Sequence, residues 1–133
     1  MIKSNFYLYV LLLLSALFLE NTDSFSTEST RIKNNVAVFS GLDKITGRVS
    51  IFEIHIGNPY KFGTLQIIPR VCYTSSQNTA SLTNGFIEIN EMTIKNKIKR
   101  IFTGWMFADS PGLNALEHPV YDVWLKSCKT QTF

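Results

Sequence analysis

The chain has 133 residues, of which 45% are hydrophobic and 13% aromatic, with thirteen Lys and Arg against ten Asp and Glu and a formal net charge of +3. A balance this mildly basic implies no polyanion partner, and without a basic stripe interleaved with aromatics it argues against nucleic acid. The length allows one domain with a single core and excludes two that could stand alone.

The first element is a leader. Lys3 precedes an apolar run over residues 6–18, bounded by Glu20, Asn21 and Asp23. This is a charged region followed by a 13-residue apolar one, short of the roughly 20 residues a spanning helix needs, so a cleaved secretory signal is expected over residues 1–26. Ser24 and Ser26 supply the small residues for cleavage after Ser26. The first cysteine is Cys72, so nothing supports a lipid anchor. Removing Lys3, Glu20 and Asp23 with the leader takes away a net −1, leaving 107 residues at +4.

Residues 27–35 are polar and without period, as in a flexible lead-in. The domain is expected over 36–129, with a short tail at 130–133. Runs rich in Val, Ile, Phe and Tyr then succeed one another: VAVFS, RVSIFEIHI, TLQIIPRVCY, FIEINEM, KIKRIFTGWMF and VYDVWLKSC. Separated by Gly, Pro, Asn and Ser, they predict an all-β domain, a small antiparallel sandwich or partly open barrel of about six strands. Alternation is clearest at 52–56, where Phe52, Ile54 and Ile56 point one way and Glu53 and His55 the other. Residues 57–63 read as a turn, 75–84 as a polar mobile loop, and Lys95-Asn96-Lys97 as a hairpin turn with Asn96 at positive φ. Between Ser110 and Pro119, a capping Ser followed by Pro, with Leu113 and Leu116 on one face, predicts a short helical turn.

Cys72 and Cys128 are an even pair in a chain bound for an oxidising compartment, so one disulfide is expected. It would close a loop of roughly 57 residues, a constraint of about 4 kcal/mol on the unfolded chain. Both cysteines lie at the C-terminal ends of predicted strands, the third and the sixth. In an up-and-down meander those ends would be a strand length apart, roughly 17–20 Å, whereas a disulfide joins Cα atoms about 4.4–6.8 Å apart. The connection from 108 to 118 must therefore be a crossover that makes the sixth strand run in the same sense as the third and fifth.

Several constellations carry candidate chemistry. Ser110, His118 and Asp122 have the residue types of a nucleophile, base and orienter, though the strand-to-helix elbow motif is missing and capping alone explains Ser110. His55, Glu53, His118 and Glu117 could be drawn as metal ligands, but no ligand spacing supports them and no metal or cofactor is expected. Glu117 and Asp122 could be drawn as a glycosidase pair, with nothing to fix their separation. Trp105, Phe107, Tyr121 and Trp124 are aromatic; a binding groove would use Trp105, Glu117, His118, Tyr121 and Trp124. Lys95, Lys97, Lys99 and Arg100 could touch an anionic surface, or serve as a solvated hairpin.

With those residues in view, the chain resembles an uncharacterised family of exported alphaproteobacterial proteins. The resemblance rests on AVFSGLDKITGR at 37–48, FGTLQIIPRVCYT at 62–74 and GWMFADSPGLNALEHPVYDVWLKSC at 104–128. It implies a periplasmic setting in a Gram-negative cell and supplies no catalytic or binding residues. Asp109 stands where the pattern has a small residue, which argues against an essential catalytic carboxylate there. The 75–84 stretch lacks the family's proline and acidic residues, which speaks against a partner contact at that place. The function expected is a non-enzymatic binding or accessory domain whose partner is an envelope protein or envelope component. A small hydrolase using residues 104–124 and a purely structural stability factor are the alternatives.

Overall fold

The computed structural model describes residues 2–16, 30–77 and 80–132. The expected cleavage site at Ser24 to Ser26 lies outside the described residues. Helix α1 (Ile2–Ala16) carries the apolar run as far as Ala16. Among the described residues no helix is long and apolar enough to cross a membrane.

Among the described residues eight strands follow: β1 (Arg31–Asn34), β2 (Val36–Asp43), β3 (Arg48–His55), β4 (Tyr60–Phe62), β5 (Leu65–Gln77), β6 (Ala80–Met92), β7 (Ile98–Phe107) and β8 (Tyr121–Lys129). They form two open antiparallel sheets, one ordered β1-β5-β6-β7 with β4 also pairing β5, the other ordered β3-β2-β8. The all-β class holds, with more strands than the six expected. Arg31–Asn34 reads in sequence as irregular lead-in, yet it pairs with residues 72–75 of β5. Tyr60–Phe62 reads in sequence as part of a turn, yet it pairs with residues 65–67. Both segments are too short to show a period, and their backbone partners come from β5.

The polar stretch at 75–84 is likewise no loop over most of its length. Thr74 pairs with Thr83, Ser75 with Leu82 and Gln77 with Ala80, so β5 and β6 continue as a ribbon. The ladder satisfies the backbone here whatever the polarity of the side chains, so a polar sequence does not exclude a strand.

The two sheets enclose Phe39, Phe52, Ile54, Leu65, Ile67, Ile87, Ile89, Met106, Val123 and Leu125, with Leu116 of the crossover sealing the core. Each such side chain contributes about 1.5–3 kcal/mol through burial. In β3, Phe52 and Ile54 are buried while Glu53 and His55 face out, as the alternation predicts.

At Asn35 the chain leaves one sheet and enters the other. Asn34 lies opposite Cys72 in the first sheet, and Ala37 lies opposite Cys128 in the second. Since β5 and β8 both pair antiparallel to this continuous segment, they run in the same sense and bring their C-terminal halves to one corner. The Cys72–Cys128 disulfide forms there, with Cα atoms 5.8 Å apart. Polar side chains fasten the same corner: Asn34 Nδ2 donates to Thr74 Oγ1 at 2.8 Å, Thr130 Oγ1 donates to Asn34 Oδ1 at 3.0 Å, and Asn35 exchanges two 2.8 Å bonds with the backbone of Gln131.

The connection from β7 to β8, residues 108–120, is the expected crossover, but it contains turns instead of a helical turn. The Ser110 amide donates to Phe107 O at 3.2 Å and the Leu113 amide to Ser110 O at 3.0 Å, after which the chain extends. Distance explains this. The connection must return along a nine-residue strand, about 30 Å at roughly 3.3 Å per residue, and its residues coiled at about 1.5 Å each would fall short. Gly112 and Asn114 also disfavour a helix. On the way, Asn114 Nδ2 donates to the Trp105 carbonyl at 2.9 Å, occupying an acceptor on the edge strand β7.

Candidate binding surfaces

His118 closes the end of the sandwich opposite the disulfide corner. Its Nδ1 accepts the amides of Val120 and Tyr121, each at 3.1 Å, so the proton of the neutral ring sits on Nε2 and is donated to Glu91 Oε1 at 2.8 Å. The side chain is only 7% exposed and its ring stacks on Tyr121. Lys44 completes the junction. Its Nζ donates to the His118 carbonyl at 2.8 Å and pairs with Asp122 Oδ1 at 2.9 Å, while its amide donates to Val120 O. One histidine thus ties the crossover to β6 and to the β2–β3 turn.

This arrangement keeps the three candidate triad residues apart. His118 commits both ring nitrogens elsewhere, Asp122 pairs with Lys44, and the exposed Ser110 is hydrogen-bonded to neither. The drawn metal set is equally dispersed: Glu53 pairs with Lys129, and among the described residues no three His, Cys, Asp or Glu side chains stand close enough to hold an ion. Glu117 is exposed and Asp122 is ion-paired, so neither is held as a reactive carboxyl. Asp109 has a structural task, accepting the Thr83 amide at 3.0 Å.

Nor do the groove candidates line one groove. Trp124 alternates with the buried Val123 and Leu125 and so faces out from the β3-β2-β8 sheet. There it borders a depression of about 390 Å³ beside Pro111, Gly112 and Ala115 of the crossover. Trp105 alternates with buried Met106 and faces out from the other sheet. Tyr121 meets Phe62 edge to face at 5.4 Å.

The outer face around Trp105 is the most organised exposed surface. The Arg31 guanidinium lies 3.7 Å from the Tyr73 ring centroid and 5.8 Å from that of Trp105. Tyr73 stacks on Trp105 at 6.3 Å, and Phe86 meets Trp105 edge to face at 5.5 Å. Trp105 remains 37% exposed. Beside this group, Glu88 bridges two arginines: Arg70 Nε donates to Oε2 at 2.8 Å and Arg100 Nη1 reaches Oε1 at 3.2 Å. The hydrogen bond from Arg70, reinforced by both guanidinium charges, holds the Glu88 carboxyl below its ordinary value of 4.5 despite partial desolvation. Three arginines thus share a face with one carboxylate and three aromatic rings.

The family profile described as "Uncharacterized protein conserved in bacteria (DUF2155)" matches residues 37–128, from the start of the second sheet to the disulfide. The chain belongs to this family. An uncharacterised protein of Rickettsia prowazekii (strain Madrid E) is 28% identical over 87 residues, covering 65% of this chain and 56% of that protein. The chain thus spans little more than half the length of that relative. No solved structure matches the chain.

Within the DUF2155 match lie Arg70, Tyr73, Phe86, Glu88, Arg100 and Trp105, while Arg31 precedes it. The signal for Tyr73 was available: it adjoins Cys72, and a cysteine bonded between two sheets forces its neighbour outward. Arg31 carried no such signal, because β1 was not recognisable as a strand. The expected basic run divides in the same way. Arg100 turns toward Glu88 and Asn90, whereas Lys95, Lys97 and Lys99 stay exposed around the hairpin.

Proposed function

We propose that this chain is an exported periplasmic domain of an alphaproteobacterial cell, acting by binding instead of catalysis, and that it holds an acidic envelope protein or envelope component on the outer face of the β1-β5-β6-β7 sheet. The observation that carries the reading is the exposed stack of Arg31, Tyr73 and Trp105. Aromatic and arginine side chains supply most of the energy where partners meet, since they offer large contact area and directional donors at small entropic cost. With three arginines against one carboxylate, Glu88, which Arg70 and Arg100 hold while Arg31 lies on the rings, the face favours acidic groups. The charged-then-apolar N-terminus and the paired cysteines suit export to an oxidising compartment.

The test is crosslinking and capture of the tagged full chain from its own cells, alongside Trp105→Ala and Arg31→Ala. The reading expects a defined acidic partner that both substitutions release while the fold survives. Identical recovery with the wild type and both variants, or no enrichment at all, would overturn it.

A further inference from the structure

The β6–β7 hairpin has features that the sheet face does not use. Its turn is tightly specified: the Thr93 amide donates to Lys97 O at 2.9 Å, Thr93 Oγ1 accepts the Lys97 amide at 3.2 Å, and Asn96 adopts φ 56°. Yet this well-formed turn presents apolar side chains to water. Ile94 is wholly exposed, Ile98 is 61% exposed, and Met92, the cross-strand partner of Ile98, is 38% exposed. Met92 pairs with Ile98 across the ladder and lines one depression with Ile94, so the three cluster at the end of the sheet. Isolated exposed apolar side chains need no explanation, whereas a cluster at a projecting turn does.

From Met92 through Lys99 the charges are all of one sign. Lys95, Lys97 and Lys99 are exposed, and among the described residues none of them is in an ion pair. The nearest carboxylate in register, Glu91, faces Lys99 across the ladder but holds His118 with Oε1. Asp122 at the same end is held by Lys44. The β2–β3 turn, which Lys44 fastens to the His118 junction, adds Ile45, also largely exposed.

We infer that this end of the sandwich docks on an anionic phospholipid bilayer, with Ile94 entering the acyl boundary and Lys95, Lys97 and Lys99 among the headgroups. An apolar tip ringed by lysines matches both layers of such a surface. The isoleucine and methionine side chains leave water for the hydrocarbon, and the lysine stems lie along the boundary while their ammonium groups remain with the phosphates. A protein groove could accept the tip, but it would have to satisfy three flexible lysine charges as well. A fluid anionic surface meets that demand without fixed geometry.

The full chain carries the apolar helix α1, so total vesicle binding is not diagnostic and a position-specific signal is needed. Ile94→Trp in the full chain, mixed with phosphatidylglycerol vesicles brominated on the acyl chains, reports whether residue 94 meets the hydrocarbon. The indole introduced at that position should show blue-shifted emission and bromine quenching beyond the baseline of Trp105 and Trp124 in the parent chain. Changing Lys95, Lys97 and Lys99 to Gln, or using phosphatidylcholine vesicles, should raise the lipid concentration needed by about a hundredfold. Trp105→Ala should leave the hairpin signal in place, which separates this proposal from the sheet-face reading. The proposal is overturned by an absence of extra quenching, by equal quenching in phosphatidylcholine or after lysine neutralisation, or by a lipid-independent blue shift that grows with protein concentration and marks contact between copies.

Discussion

His118→Ala removes in one step the acceptor of two backbone amides and the donor to Glu91. Leaving the Val120 and Tyr121 amides without an acceptor costs about 1 kcal/mol each, the low end of the range for buried donors because both residues are half-buried. Losing the bond to the Glu91 carboxylate costs about another 1 kcal/mol, since that group can turn back to solvent. Some of the ring contact with Tyr121 goes too. The sum is about 3 kcal/mol, which for a domain of this size lowers Tm by at least about 12 °C. Urea denaturation with the disulfide intact measures it. His118→Gln, which still offers a carbonyl acceptor, should recover part of the loss, and Ser110→Ala should stay within about 0.5 kcal/mol of the parent. A catalytic triad predicts the opposite pattern, with both alanine variants folded and inactive. If His118→Ala costs less than about 1 kcal/mol with an unchanged denaturant slope, the junction does not exist as described.

Gly63 has φ 58° and a Cβ there would stand 2.3 Å from the Tyr121 ring, so Gly63→Ala should destabilise by more than about 2 kcal/mol. Gly47→Ala, at φ 69° in open space, should cost only about 1 kcal/mol, and thermal melts of the two variants compare them directly. Reducing the Cys72–Cys128 bond should remove about 4 kcal/mol, read as the shift in urea midpoint with and without reductant, and peptide mapping of the unreduced protein should recover the two cysteines joined. Because folding lowers the Glu88 carboxyl below its ordinary 4.5, its contribution is fully present above that value and is lost as pH falls through the lower folded value. Stability of Glu88→Gln followed by acid titration should therefore lack that part of the decline; an acid limb identical to the parent's would refute the pairing.

Where the sequence was legible, the reason was local or covalent. Phe52 and Ile54 alternate with Glu53 and His55 over enough residues to name a half-buried strand, and Asn96 marks a left-handed position that few other residues adopt readily. The crossover followed from placing Cys72 and Cys128 at strand ends and asking what topology lets them touch. The parts that were not legible depend on partners remote in sequence. Nothing within Arg31–Asn34 declares a strand, because its ladder partners lie far along the chain, as in the pairing of Lys33 with Tyr73, 40 residues on. The Ser110 to Pro119 stretch has the local chemistry of a helical turn, but the span it must cover overrides that preference. The residue type of His118 suggests catalysis, whereas its bonds are set by two amides only two and three residues away and by a carboxylate on β6.

The distribution of polar groups also bears on what kind of function this fold can support. A reactive site needs groups left incompletely satisfied and aimed at a space that substrate can enter. At the crossover the opposite holds: His118, Lys44, Asp109, Asn114 and Asp122 each bond to another part of the same domain, and those bonds fasten the crossover to β6, β7 and the β2–β3 turn. Such a network suits rigidity, which a small sandwich must obtain from polar junctions and a disulfide where the core is thin. Rigidity at that end makes the neighbouring surfaces dependable in shape. The β6–β7 turn projects from a strand that His118 anchors through Glu91, and Trp105 sits on a strand whose edge carbonyl is held by Asn114. The features that face outward, aromatic rings with arginines on one sheet and isoleucines with lysines at one end, thus stand on a frame that these bonds hold in place.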